Sequence, residues 1–260
     1  MRKLPQLSVM WSASCLGLLL AFAVGGCGTV AGEGETAART RVALIAEGCA
    51  NNGLVVTRRT VTDSIAEAGF VPLVLPNVSC TNGVDDVLDR ADALVVFGSL
   101  KGELPVRKEF ERRLIRRAAE RGIPVVGFCH GHQVINLAFG GKIGRNPTNA
   151  AVRVVHHGKE NPYVKDCFHK IKVTPDSLVA KGLGEGEQTV NSSHNYCITE
   201  LAPDFRITAV AEDGVIEAIE HNSLPVFGFQ FHPERIAFKT HDPRFVKLIR
   251  EALAGNAGRR

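Results

Sequence analysis

Short apolar runs punctuate the first half of this chain at regular intervals. Arg41–Ala46, Val71–Leu75, Leu94–Phe97 and Pro124–Phe128 are separated by segments in which apolar residues recur with a helical period. That alternation predicts a parallel sheet with helices on both faces, because each parallel pair needs a crossover. Past the fourth run the spacing tightens. Ile171–Thr174, Arg206–Val210 and Val215–Glu220 read as antiparallel strands near one end of the sheet, which then resumes at Val226–Phe231. Arg244–Leu253 has the period of a closing helix. The expected fold is α/β, a mainly parallel doubly wound sheet with a small antiparallel addition. Gly182-Leu-Gly-Glu-Gly186 reads as turn punctuation and not as a phosphate loop, since no strand runs into it.

The front of the chain follows a different rule. Met1–Gly26 opens with Arg2 and Lys3, continues through an apolar stretch to Val24, and contains no acid. This is the pattern of a signal peptide. It ends Ala23-Val24-Gly25-Gly26-Cys27, which resembles the lipobox of bacterial lipoproteins, with Cys27 as the lipidated residue. An uncleaved anchor, or cleavage elsewhere, is the alternative. Gly28–Thr40 is rich in Gly, Ala, Glu and Thr and has no apolar period, as in a flexible tether. The organisation expected is a signal over 1–26, a tether over 27–40, one domain over 41–255 and a frayed tail over 256–260. The protein is then exported and lipid-anchored to a bacterial membrane, on its periplasmic or cell-surface side.

Composition narrows the partners. Without the first 26 of its 260 residues the chain keeps 234, enough for one sizeable core. The formal charge of +4, less the two cations Arg2 and Lys3, is +2, too small to argue for nucleic acid. Arg112-Arg113 and Arg116-Arg117 fall between the apolar positions Phe110, Leu114 and Ala118, so they read as a solvated helix face.

The candidate chemistry sits at the ends of two strands. Pro124–Phe128 runs into Gly127-Phe-Cys-His-Gly131, a strand-to-helix turn in which glycines flank Cys129 because the corner leaves no room for a Cβ. A thiol at a helix N-terminus is favoured as the thiolate. A buried structural cysteine is the plain alternative. The later strand, Pro225–Phe231, stops at His232-Pro-Glu234. His232 is placed to take the thiol proton and return one to a leaving group, and Glu234 to hold the imidazole tautomer. Singly, a strand-end histidine and a loop acid mean little; the joint pattern is what carries the assignment.

These residues resemble the class I glutamine amidotransferase superfamily, and within it the γ-glutamyl-γ-aminobutyrate hydrolase-like branch. The matching segments are Ile123-Pro-Val-Val-Gly-Phe-Cys-His-Gly-His-Gln133, Val190-Asn-Ser-Ser-His194 and Gly228-Phe-Gln-Phe-His-Pro-Glu234, with weaker likeness over Ser64–Pro76 and Ala93–Ser99. The resemblance implies a flavodoxin-like strand order and a catalytic triad of Cys129, His232 and Glu234. It implies an oxyanion hole from the N–H groups of Gly98 and His130, and substrate contacts from Gln133, Asn191, Ser192, His194 and Gln230. It further implies a small γ-glutamyl amide or peptide as substrate, no cofactor and, for an exported chain, no synthetase partner.

Two departures touch the substrate. His130 stands where the branch more often has arginine, and Asn195-Tyr196 replaces an expected histidine–glutamine. A Cys-His pair also resembles a sister branch of deglycase, chaperone or protease type, which would not supply the distant His-Pro-Glu. Two further alternatives stay open: a dienelactone-hydrolase-like α/β-hydrolase, and a non-catalytic γ-glutamyl or amino-acid binding lipoprotein.

The 9 histidines raise the question of a metal. His130 and His132 would point to different helix faces, and no cysteine or carboxylate completes a ligand spacing, so no metal is expected. Of the 7 cysteines, Cys49, Cys80, Cys167 and Cys197 are left after Cys15, Cys27 and Cys129 are assigned. An even remainder in an exported protein permits the bridges Cys49–Cys80 and Cys167–Cys197.

Overall fold

Strands and helices alternate through the first half of the computed structural model, which describes residues 42–47, 58–76, 83–97, 105–145 and 167–255. They are β1 (Val42–Glu47), α1 (Arg59–Glu67), β2 (Val71–Pro76), α2 (Val84–Leu88), β3 (Ala93–Val96), α3 (Pro105–Glu120), β4 (Val125–Phe128) and α4 (His130–Ala138). The second half adds β5 (Lys142–Arg145), β6 (Cys167–Val173), α5 (Leu178–Leu183), β7 (Gly186–Ser192), β8 (Tyr196–Glu200), β9 (Phe205–Ala211), β10 (Ile216–His221), β11 (Val226–Phe229), α6 (Pro233–Thr240) and α7 (Pro243–Leu253). All of these residues belong to one compact unit, Arg39–Arg260.

One nine-stranded sheet runs β2-β1-β3-β4-β11-β10-β9-β6-β7. The pairs from β2 to β11 are parallel and those from β11 to β7 antiparallel. Every residue of β3, β4 and β11 is buried, which is why these central strands read as continuous apolar runs in the sequence. One apolar layer joins Val95, Phe128 and Phe227 of the sheet to Val61 and Ile65 of α1, Ala237 of α6, and Leu248 and Ile249 of α7. The other joins Leu94, Val96 and Val125 to Leu114 and Ile115 of α3, and Val134 and Ile135 of α4. Helices therefore cover both faces, as a doubly wound fold requires.

Four features depart from the sequence expectation. The antiparallel strands extend the main sheet, while the separate small addition is the β5–β8 pair. Neither β5, β7 nor β8 was anticipated as a strand. Gly182 lies inside α5 and not in a turn; a Cβ there would stand 2.6 Å from that of Leu248, so glycine lets α5 press against α7. Cys197 is a free buried thiol, so the Cys167–Cys197 bridge is not made. The Cys49–Cys80 bridge, Gly98, and the proposed signal, tether, lipidation site Cys27 and tail lie outside the described residues. Elsewhere the boundaries shift by a few residues at most, and the arginines of α3 lie as expected, with Arg113, Arg116 and Arg117 exposed opposite buried Phe110, Leu114 and Ala118.

Candidate active site

The site forms where β4 and β11 end side by side. Their parallel register sets Gly127 opposite Gly228 and Phe128 opposite Phe229, and the Cys129 N–H continues the ladder by donating to the Phe229 carbonyl at 2.7 Å. One backbone bond thus ties the strand that ends in Cys129 to the strand that leads to His232. Cys129 then turns with φ 52 and ψ −98, a conformation disfavoured for a residue with a side chain, and becomes the N-cap of α4. The flanking glycines are sterically required. A Cβ at Gly127 would lie 2.5 Å from the Gly131 carbonyl carbon, and one at Gly131 only 1.9 Å from the Val96 carbonyl oxygen.

His232 caps α6 from the other side, with Pro233 and Glu234 in the first turn. Its Nδ1 donates to Glu234 Oε1 at 2.8 Å, and both side chains are buried. That bond leaves Nε2 as the ring nitrogen not engaged by Glu234. Asn191 Oδ1 accepts from the His232 N–H at 3.0 Å, fixing the backbone from which the imidazole hangs.

Electrostatics bind the two groups together. Burial pushes the Cys129 thiol up, but neighbouring His232, Arg235 and His130 outweigh it and leave the thiol below its ordinary value. Burial pulls His232 down, but the charges of Glu234 and Cys129 and hydrogen bonding with both raise it to about 9. Both shifts favour the thiolate–imidazolium form of the pair, which titrates as a unit.

The remaining sequence-predicted residues are brought to the site but turned into protein contacts. Gln133 Nε2 donates to the Tyr196 carbonyl at 2.7 Å and to Gln230 Oε1 at 3.0 Å, and Gln230 Nε2 donates to Cys129 Sγ at 3.7 Å. The thiol faces the Ser193 carbonyl at 4.0 Å. His194 Nδ1 donates to the Tyr196 carbonyl at 3.0 Å, and Ser192 is buried as well. His130 opens α4, where N–H groups lack intrahelical partners, and its Nε2 lies 3.7 Å from Oε2 of the buried Glu111. His132 points the other way, fully buried, so the two histidines do diverge.

Sequence reasoning missed a second buried cluster. Glu217 of β10 is fully buried, with Oε1 at 3.3 Å from His169 Nε2 and 3.6 Å from His194 Nε2. Burial raises this carboxyl, yet the two histidines bring it down to about 2. His132 is lowered by burial to about 4, against the opposing pull of Glu217. The signal available was an acid flanked by Ile216 and Ala218 in a strand bound for the core, where a carboxylate needs a partner. Among the described residues no group of three or more His, Cys, Asp or Glu is arranged to hold a metal.

This mixed sheet, with a thiol elbow on one central strand and His-Pro-Glu on the next, defines the class I glutamine amidotransferase-like fold. A glutamine amidotransferase from Methylobacillus flagellatus has the same fold, with a TM-score of 0.57, 15% identity, and coverage of 85% of this chain and 96% of that one. The chain belongs to the Peptidase C26 family, which matches residues 42–234. Among curated relatives, protein NtpR of Enterococcus hirae is 28% identical over 70% of this chain and 83% of its own length. One subunit of the glutamine-hydrolyzing GMP synthase of Pyrococcus abyssi is 34% identical over 54% of this chain and 67% of its own. Family membership supports cysteine-dependent amide hydrolysis or amidotransfer, and sets aside the dienelactone-hydrolase-like reading.

Proposed function

We propose that this chain is a cysteine hydrolase of γ-glutamyl-type amides, and that it works at a bacterial envelope, anchored by lipid at Cys27. The observation that carries the chemistry is the coupled Cys129–His232–Glu234 arrangement, with the nucleophile on a strained turn and the imidazole bonded to its acid at 2.8 Å. The Cys129 thiolate attacks the γ-carbonyl carbon, and the carbonyl electron pair moves onto oxygen. The N–H of His130 at the start of α4 faces that developing charge, with the N–H of Gly98 as the second donor that the resemblance implies. Collapse of the intermediate expels the amine, which takes its proton from His232 Nε2, and leaves a thioester on Cys129. His232, now neutral, removes a proton from water as it attacks the thioester. The acid product departs and the thiolate–imidazolium pair is restored.

The γ-glutamyl preference and the envelope location rest on sequence resemblance and on the pattern of Met1–Cys27. Glutamine is itself a γ-carboxamide, and the likeness to a glutamine-hydrolyzing GMP synthase favours it as a second substrate candidate. The test is to incubate the purified chain with γ-glutamyl amides, γ-linked peptides and glutamine, following intact mass and amine release beside a Cys129→Ala variant. A glutamyl adduct or released amine that needs Cys129 is the expected result. A folded protein with reduced Cys129 that neither forms an adduct nor turns over any of these compounds would leave the binding-protein reading in its place.

A further inference from the structure

Strand β6 alternates cleanly. His169, Ile171 and Val173 turn inward and are buried, while Phe168, Lys170 and Lys172 occupy the outer face. Two of those outer residues are what a solvated face calls for, and Lys170 pairs with Glu187 of β7 at 2.7 Å. Phe168 breaks the pattern. Among the described residues the large apolar side chains left exposed are Val71, Leu73, Phe168, Tyr196 and Ile207, and Phe168 is the most exposed, at 61%. Its neighbour sets it apart further. The antiparallel partner of Phe168 is Asn191 of β7, so the two side chains leave the sheet on the same face, with Cβ atoms about 5 Å apart. The Asn191 amide is buried and reaches across to accept the His232 N–H at 3.0 Å. Two residues further on, the Ser193 carbonyl lies 4.0 Å from Cys129 Sγ. Phe168 is thus paired with the residue that holds the His232 main chain, at the head of the segment that faces the thiol.

In the proposed reaction the C–N bond of the tetrahedral intermediate breaks and its electron pair stays on nitrogen. That nitrogen takes a proton from His232 and departs as the amine, while the acyl group remains on Cys129 as the thioester. The departing nitrogen must therefore lie on the His232 side of the thiol, and any substituent it carries extends to that side. Ammonia would make no use of an exposed ring there. An aromatic or large apolar amine would cover Phe168 and remove both surfaces from water. We propose that Phe168 is a specificity-determining residue for the amine half of the substrate, selecting γ-glutamyl-type amides of aromatic or large apolar amines over glutamine. The acyl half is taken from the hydrolase reading, on which this inference rests; Phe168 adds the amine.

The experiment uses the full chain as wild type, Phe168→Ser and Leu73→Ser, the last an exposed apolar side chain on β2 at the opposite edge of the sheet. Each protein is given γ-glutamyl benzylamide and γ-glutamyl methylamide, which share one acyl half, and circular dichroism confirms folding. The benzylamide-to-methylamide ratio of kcat/KM should fall about tenfold in Phe168→Ser, chiefly through KM, and hold in Leu73→Ser. Any intrinsic difference between the two amines cancels, because every protein meets the same pair. Alkylation of Cys129 by N-benzyl iodoacetamide and by iodoacetamide gives a second ratio that needs no turnover, and it should fall in the same variant. A ratio unchanged in Phe168→Ser, or one that falls equally in Leu73→Ser, would overturn the proposal. Should Phe168→Ser fail to fold, Phe168→Lys, which continues the polar positions of Lys170 and Lys172, takes its place and is read in the same way. If no γ-glutamyl amide is turned over, the hydrolase reading fails, and the alkylation ratio alone supports or overturns an apolar subsite at Phe168.

Discussion

Replacing Glu234 by glutamine keeps the size of the side chain and removes its charge. In the native site that charge sits 2.8 Å from the imidazole it supports. Burial alone would pull His232 below its ordinary 6.5; Glu234 and Cys129 instead carry it to about 9. At 1.36 kcal/mol per pKa unit, the imidazolium is favoured by about 3 kcal/mol relative to a histidine in water. In Glu234→Gln the burial cost is met by Cys129 alone, and His232 should titrate at least about one unit lower. Expulsion of the amine needs the protonated imidazole, so activity should fall on the alkaline side as His232 loses its proton. The wild-type basic limb is expected near 9, from His232. The variant's limb should move toward neutrality, and its kcat should fall by about 10²- to 10⁴-fold. Less thiolate should also be trapped at neutral pH, because the imidazolium beside it is held less firmly. The assay is kcat/KM and Cys129 alkylation against pH on both proteins. A variant whose basic limb stays near 9 with undiminished alkylation would refute the reasoning.

Three further outcomes are expected. Gly131→Ala places a Cβ 1.9 Å from the Val96 carbonyl oxygen, which is backbone and cannot step aside, so thermal melts should show a loss of about 3 kcal/mol or more; a native-like melt would deny the tight elbow. Asn136 donates to the carbonyls of Lys142 at 3.2 Å and Glu200 at 3.0 Å and accepts from the Ala202 N–H at 2.8 Å, so Asn136→Ala should cost about 2–4 kcal/mol in denaturant unfolding and loosen β5 and β8 together. His132, lowered to about 4, stays neutral in the folded chain while the unfolded chain takes up a proton below 6.5. Stability should therefore fall by about 3 kcal/mol as pH drops across that window, and further below 4.5 as Glu217, held at about 2, resists protonation; unfolding free energies that stay flat from pH 7 to 4 would contradict this.

The grouping of Cys129, His232 and Glu234 was legible because each of its parts leaves a local mark. A cysteine between two glycines at the end of a buried run announces a corner without space, and Phe231-His-Pro-Glu234 combines a strand end with a proline-started helix. Strands β3, β4 and β11 were visible because both their faces are buried. By contrast, β7 begins Gly186-Glu-Gln-Thr189 and is buried only from Val190 onward, as suits the edge of a sheet. The helix α5 hid behind Gly182, whose value lies in a contact with Leu248, 66 positions away in the chain and invisible to any local pattern. The Glu217 cluster was hidden for the same reason. Its members, His132, His169, His194 and Glu217, come from four separate segments, and only the folded sheet makes them neighbours. The resemblance places His194, Gln133 and Gln230 near the substrate; the structure gives His194 and Gln133 bonds to the Tyr196 carbonyl and sets Gln230 Nε2 beside Cys129 Sγ.

The parallel pairing of β4 with β11 also governs when the protein becomes reactive. Gln230 stands 101 positions after Cys129, and His232 two further on. Until β11 has been synthesised and laid beside β4, the chain carries an ordinary cysteine with neither its base nor its amide donor. Such long-range parallel contacts form late, after local helices and turns. A nascent or half-unfolded molecule therefore holds an unactivated thiol, and the nucleophile of the proposed reaction is assembled only once nearly the whole sheet is in place.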